Sequence, residues 1–144
     1  MAALVVDATE VLSGTNADFF QGISGATVTA GQVCYLDAMD NKIKLADADA
    51  SLARASVRGI ALHGALSGQP LRLQTAGDLI FGVSAVIDAL TVVVGESLVL
   101  SATPGGITQS SDLATGMYVT TVGITSGADR MRLNLFSSNQ PVPA

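Results

Sequence analysis

Residues 30–43 read A-G-Q-V-C-Y-L-D-A-M-D-N-K-I, and residues 94–107 read V-G-E-S-L-V-L-S-A-T-P-G-G-I. Gly31, Leu36, Ala38 and Ile43 of the first stretch fall on Gly95, Leu100, Ala102 and Ile107 of the second, each 64 positions later. The same spacing carries Gly59-Ile60 onto Gly123-Ile124. With four residues removed, Arg72-Leu73 falls on Arg132-Leu133. A strand–turn–strand unit written twice predicts two similar β-units packed by pseudo-symmetry, a scaffold rather than a catalytic apparatus. The competing reading is two ordinary hairpins that share turn chemistry.

Outward from these stretches the strand pattern continues. Val33 and Tyr35 alternate with Cys34 and Leu36, and M-D-N-K (39–42) is a turn before the return strand from Ile43 to Leu45. Strands follow at Val57–Leu62 and around Leu71 and Leu73, then across Val83–Val94 with a turn at 87–89. The second unit repeats the theme: Ser97–Ala102, the turn T-P-G-G, a strand from Ile107, one through Tyr118–Ile124, and Met131–Leu135. Residues 46–55 are the one helix-like stretch, short enough to be a single turn capped by Asp47, Asp49 or Ser51. Many short strands punctuated by turns predict an all-β fold: a single β-barrel or jelly-roll-like sandwich, with an internal two-fold repeat and an extended N-terminal arm. The expected organisation is an arm over residues 1–25 and a β-barrel over 26–136, with pseudo-repeats near 28–74 and 92–136. A C-terminal tail, whose prolines cannot feed a ladder, covers 137–144.

The chain has 144 residues, 49% hydrophobic and only 13% charged. That charge share is about half the usual one and implies a surface either rich in Ser, Thr and Ala or partly covered in an assembly, of which the second is favoured. A net charge of −5 argues against nucleic acid as a partner, although five of the seven basic residues cluster between Lys42 and Arg72. The apolar run from Leu79 to Leu100 is interrupted by Ser84, Asp88, Gly95 and Glu96, so no membrane span is predicted. The N-terminus has no basic start followed by a long apolar stretch, which predicts synthesis in the cytoplasm.

The residues supply little chemistry. His63 is the sole histidine and no G-x-S-x-G turn is present, which excludes paired-histidine mechanisms and leaves His63 as a loop residue. Cys34, the sole cysteine, sits mid-strand as an inert buried thiol. Asp37, Asp40, Asp47 and Asp49 fit turn and capping roles better than a calcium loop, which needs a central glycine and a terminal glutamate. The expectation is no enzyme, no catalytic residue, no metal and no cofactor.

The runs G-A-T-V-T-A-G-Q-V-C-Y-L-D-A (25–38), K-L-A-D-A-D-A (44–50), V-R-G-I-A-L-H-G-A-L-S-G-Q-P-L (57–71), V-L-S-A-T-P-G-G-I (99–107) and D-L-A-T-G-M-Y-V-T-T-V-G-I (112–124) carry a resemblance. From about Val11 to Leu135 the chain resembles the small capsid decoration, or cement, proteins of tailed bacteriophages. The resemblance implies a β-barrel on the outer capsid surface of the virion, made in the host cytoplasm. Its implied partners are the major capsid protein and further copies of itself, as a homo-dimer or homo-trimer bridging neighbouring capsomers. A receptor- or carbohydrate-binding module of a phage fibre or tail appendage is the alternative, with function on the loops His63–Gln69 and Thr103–Gly106. For the decoration reading the expected contact residues are Leu4, Val5, Val6, Phe19 and Phe20 of the arm, and Pro141, Val142 and Pro143 of the tail. Deleting residues 1–20 is then expected to leave the barrel folded while weakening shell binding.

Overall fold

Strands β4 (Val33–Asp37) and β5 (Lys42–Leu45) form the first hairpin of the computed structural model, which describes residues 4–49, 51–82, 85–87, 90–109 and 113–143. Leu36 stands opposite Ile43. In the second hairpin, β10 (Ser97–Leu100) and β11 (Ile107–Gln109), Leu100 stands opposite Ile107, the same pair one repeat later. The next strands are β6 (Gly59–Ala61) and β12 (Tyr118–Gly127). Cys34 pairs with Gly59 as Leu98 pairs with Gly123, and Val33 pairs with Ile60 as Ser97 pairs with Ile124. With β7 (Pro70–Ile80) and β13 (Arg130–Pro141), the order β11-β10-β12-β13-β7-β6-β4-β5 is one four-strand unit written twice about the β13–β7 contact.

Backbone chemistry explains why the matching positions match. Gly31 and Gly95 both have φ of +90°, and Asn41 (φ 58°) corresponds to Gly105 (φ 77°). Glycine and asparagine are the residues that enter this region at low cost. One sequence match moves. The ladders set Ile60 opposite Gln74 and Ile124 opposite Arg132, so Gln74, not Arg72, corresponds to Arg132. The β12–β13 ladder carries register shifts that a linear alignment does not see.

Together these strands make one antiparallel, strongly curled sheet that forms a half-barrel, with two short helical turns among the described residues, a 3-10 turn at Ala8–Glu10 and α1 (Leu52–Ala55). Ser51 caps that turn by accepting a hydrogen bond from the Arg54 N–H at 3.2 Å. Strand β7 is where the halves join. Its first part pairs with β3 (Asp18–Ile23) and β6, and its last four residues pair with β13, with β2 (Leu12–Ser13) against Leu79 and Ile80. Gly77, at φ +87°, stands where the partners change, and Asn16 and Ala17 pack so close that a side chain there has no room. A separate three-stranded sheet joins β1 (Leu4–Val5), β8 (Val86–Ile87) and β9 (Leu90–Thr91).

Two apolar clusters lie on opposite faces of the β4 region. Val33, Tyr35 and Ile60 join Leu98, Leu100, Val122, Met131 and Leu133 in the larger one. Cys34, Ile43, Ala61, Leu71 and Leu73 form the smaller, with Phe20, Leu36 and Leu45 packed against it. The alternation read from the sequence is thus present, but both faces are covered, because the curled sheet encloses one cluster and packs its back against the other.

The N-terminal residues are built into both sheets, β1 into the three-stranded one and β2 and β3 onto β7. Phe20 seals the smaller cluster, and Leu4 and Val6 pack against the larger. Removing residues 1–20 therefore opens both cores, so the truncation does not separate binding from folding. At the other end β13 runs on through Pro141, and Val142 exchanges backbone hydrogen bonds with Gly116 (3.0 Å) and Met117 (2.8 Å). Pro141 closes the ladder opposite Tyr118, a strand-end position where a missing N–H costs little.

Candidate interaction surface

The arm places its two phenylalanines by strand alternation. Phe20, opposite Leu73, turns inward, and Phe19, opposite Gln74, turns outward and stays 42% exposed. Each ring carries a guanidinium: Arg58 stands 4.3 Å from the Phe20 centroid and Arg72 4.5 Å from the Phe19 centroid. A cation over an aromatic face is held by the ring quadrupole and keeps its charge available to a further partner. The described ion pairs join Lys44 to Asp37 and Asp40, Arg130 to Asp129, and Arg132 to Asp78; Arg58 and Arg72 take part in none of them. Sequence reading located the basic cluster but not this stacking, which depends on strand pairing across about 50 residues.

Of the expected contact residues, Val5, Phe19, Pro141 and Pro143 are exposed, Val142 is half-buried, and Leu4, Val6 and Phe20 serve internal packing. Among the described residues, four of the eleven exposed large apolar ones (Val5, Leu12, Phe19 and Ile23) lie in the first 23 positions, well above that segment's share.

The residues with chemical potential are spent on structure. The His63 ring fits the tautomer in which Nδ1–H donates to the Gly64 carbonyl at 2.9 Å while Nε2 accepts the Arg72 N–H at 3.2 Å. Cys34 is fully buried, and burial pushes its thiol up to about 12, far from a reactive thiolate. Among the described residues no three His, Cys, Asp or Glu side chains converge as a metal site. A cavity of about 260 Å³ lies between the arm and the two turns that hold Gly31 and Gly105, lined by Leu4, Val6, Thr29, Gln32 and Pro104. A shallower one of about 330 Å³ is lined by Thr27, Val28, Ala65, Leu66 and Gln69. The two loops favoured for ligand binding thus border different cavities, and among the described residues neither cavity is lined by a charged side chain.

The β4–β5 turn is the most organised polar feature. Asp37 accepts from Lys44 Nζ at 2.7 Å and from the Met39 N–H at 2.9 Å; Asp40 accepts from Lys44 Nζ at 3.0 Å and the Lys42 N–H at 3.1 Å. The Lys44 hydrogen bond, then the Met39 one, holds Asp37 below its usual 3.8; Lys44 does the same for Asp40. A carboxylate whose folded pKa is depressed stabilises the fold above its unfolded value, and that support is lost as pH falls through the folded value. The turn is therefore expected to hold firm at neutral pH and to loosen below about 3.8. Amide exchange of residues 38–44, followed from pH 7 to pH 2, checks this; in Lys44→Met the acid-dependent step should shrink.

The chain matches no protein-family model, and no curated protein matches it.

Proposed function

We propose that this chain is a structural virion protein that decorates the outer surface of a phage capsid and bridges neighbouring capsomers. The observation that carries the reading is the arm. Its strands are held in the two sheets, yet they keep Val5, Leu12, Phe19 and Ile23 on the surface. A rigid strand that exposes apolar side chains loses little conformational entropy when a partner covers it. The resemblance in the strand and turn phrases supplies the partner, the major capsid protein. A decoration protein works by buried area: each 100 Å² of apolar contact contributes roughly 2.5 kcal/mol before association costs. Repetition over a shell converts modest contacts into avidity that opposes capsomer separation.

The test is the mass of the purified protein by light scattering, followed by co-sedimentation with undecorated phage shells. The expected result is a discrete dimer or trimer that saturates shells at a fixed stoichiometry. A monomer that stays in the supernatant at every shell concentration would overturn the reading.

A further inference from the structure

We infer that the corner of the second unit formed by Val93, Val94 and Ile124 is covered in the assembly by an aliphatic segment of the partner. The inference rests on the decoration reading for the partner's identity, the major capsid protein. Its chemistry stands on a comparison of the two units.

The corner before the first strand of each unit is built the same way. The Gly31 N–H donates to the Ala61 carbonyl at 2.8 Å, and the Ala61 N–H to the Gln32 carbonyl at 2.9 Å. In the second unit the Gly95 N–H donates to the Thr125 carbonyl and the Thr125 N–H to the Glu96 carbonyl, both at 2.9 Å. Both glycines have φ of +90°. The cover differs. In the first unit the arm lies on the corner: a Cβ built on Gly31 comes within 2.9 Å of Val6 and 3.4 Å of Val11, and Ala30 and Ile60 are buried. In the second unit nothing lies within 4 Å of a Cβ on Gly95. Val94, the counterpart of Ala30, is 63% exposed, and Ile124, the counterpart of Ile60, is 49% exposed. The bare corner is also the more apolar one, with Val93 and Val94 where the covered corner has Thr29 and Ala30. An apolar patch that gains aliphatic groups where its cover is missing marks an interaction site.

The corner selects its occupant. Its backbone is fixed in advance, because the buried Thr125 donates from Oγ1 to the Val93 carbonyl at 2.6 Å and accepts the Glu96 N–H at 2.8 Å. A partner that covers the valines then meets little loss of conformational entropy. The charged side chains alongside are taken, Glu96 by Gln109 Nε2 at 2.9 Å and Arg132 by Asp78 at 3.4 Å, which leaves apolar contact as the attraction. Val93, Val94 and Ile124 fall far short of the roughly 20–30 residues a side of a stable dimer, which disfavours a second copy docked face to face. The first unit supplies the precedent that fits, a single segment that sets valines against the glycine. Repetition over a shell makes so small a contact effective.

One variant and one peptide test this. The triple variant Val93→Ser, Val94→Ser, Ile124→Thr removes the aliphatic groups without changing the charge, and it should melt close to the wild type because all three side chains are exposed. Against undecorated shells it should bind about tenfold more weakly or worse, with the wild-type salt dependence and the wild-type mass in solution. A variant that binds shells like the wild type overturns the inference and leaves the decoration reading standing. One that loses the oligomeric mass of the wild type assigns the corner to a second copy and overturns it as well. If the variant does not fold, or if the wild type itself ignores shells and the decoration reading fails, titration of the wild type with the peptide Leu-Val-Val-Asp-Ala-Thr-Glu-Val, the sequence of residues 4–11, decides alone. Amide shifts concentrated at residues 93–97 and 123–126 support an aliphatic occupant of the corner; shifts elsewhere or none overturn it.

Discussion

Gly123→Ala is expected to destabilise the protein by about 3 kcal/mol or more, lowering its melting temperature by roughly 6–12 °C. A Cβ built on Gly123 runs into the Arg132 carbonyl and comes within 3.3 Å of the Leu133 Cα. Both are backbone atoms of β13, so no rotamer change relieves the clash; the β12–β13 ladder must part. Gly59→Ala meets the same obstacle in the other half, with the Gln74 carbonyl at 2.7 Å and the Leu73 Cβ at 2.8 Å. Gln74 and Arg132 are the positions that the ladders make equivalent. Gly68 is the contrast: its φ is +91°, but nothing lies within 4 Å. Gly68→Ala should cost only the backbone strain, about 1–2 kcal/mol. Urea unfolding of the three variants gives the order. A Gly123→Ala protein as stable as the wild type would show that close approach is not what holds glycine there.

Leu73→Ala should cost about 2–5 kcal/mol, and Met131→Ala a similar amount. Both side chains are fully buried, and they occupy equivalent ladder positions, Leu73 opposite Ala61 and Met131 opposite Thr125. They belong to different clusters, however, Leu73 to the smaller and Met131 to the larger. The smaller cluster has fewer neighbours able to close over a cavity, so Leu73→Ala should lie at the upper end of the range. The two losses should add to within about 0.5 kcal/mol in the double variant if the clusters are energetically separate. Calorimetry on the four proteins measures this directly. Strong coupling would mean that the clusters melt as one core.

Much of the fold was legible because its signals are local. Alternation at Val33–Leu36, the turn at Met39–Lys42 and the T-P-G-G turn each involve neighbours in sequence, and each produces a hairpin where expected. The repeat spacing was legible through Gly31, Gly95, Gly59 and Gly123, because a glycine demanded by backbone geometry marks the same place in both copies. The candidate surface was half legible. Phe19 and Phe20 are contact residues expected of the arm from the sequence. That one faces inward, and that each carries an arginine, follows only from which residues of β7 and β6 lie alongside.

The amino-acid sequence alone thus determined the all-β class, the hairpins and the doubled unit, since turn chemistry and period-two alternation act over a few residues. The association of β3 with β7, the register shift that makes Gln74 the equivalent of Arg132, and the extension of β13 to Pro141 were decided in three dimensions. These depend on bulges and on which apolar face finds cover, which the local pattern of residues does not carry.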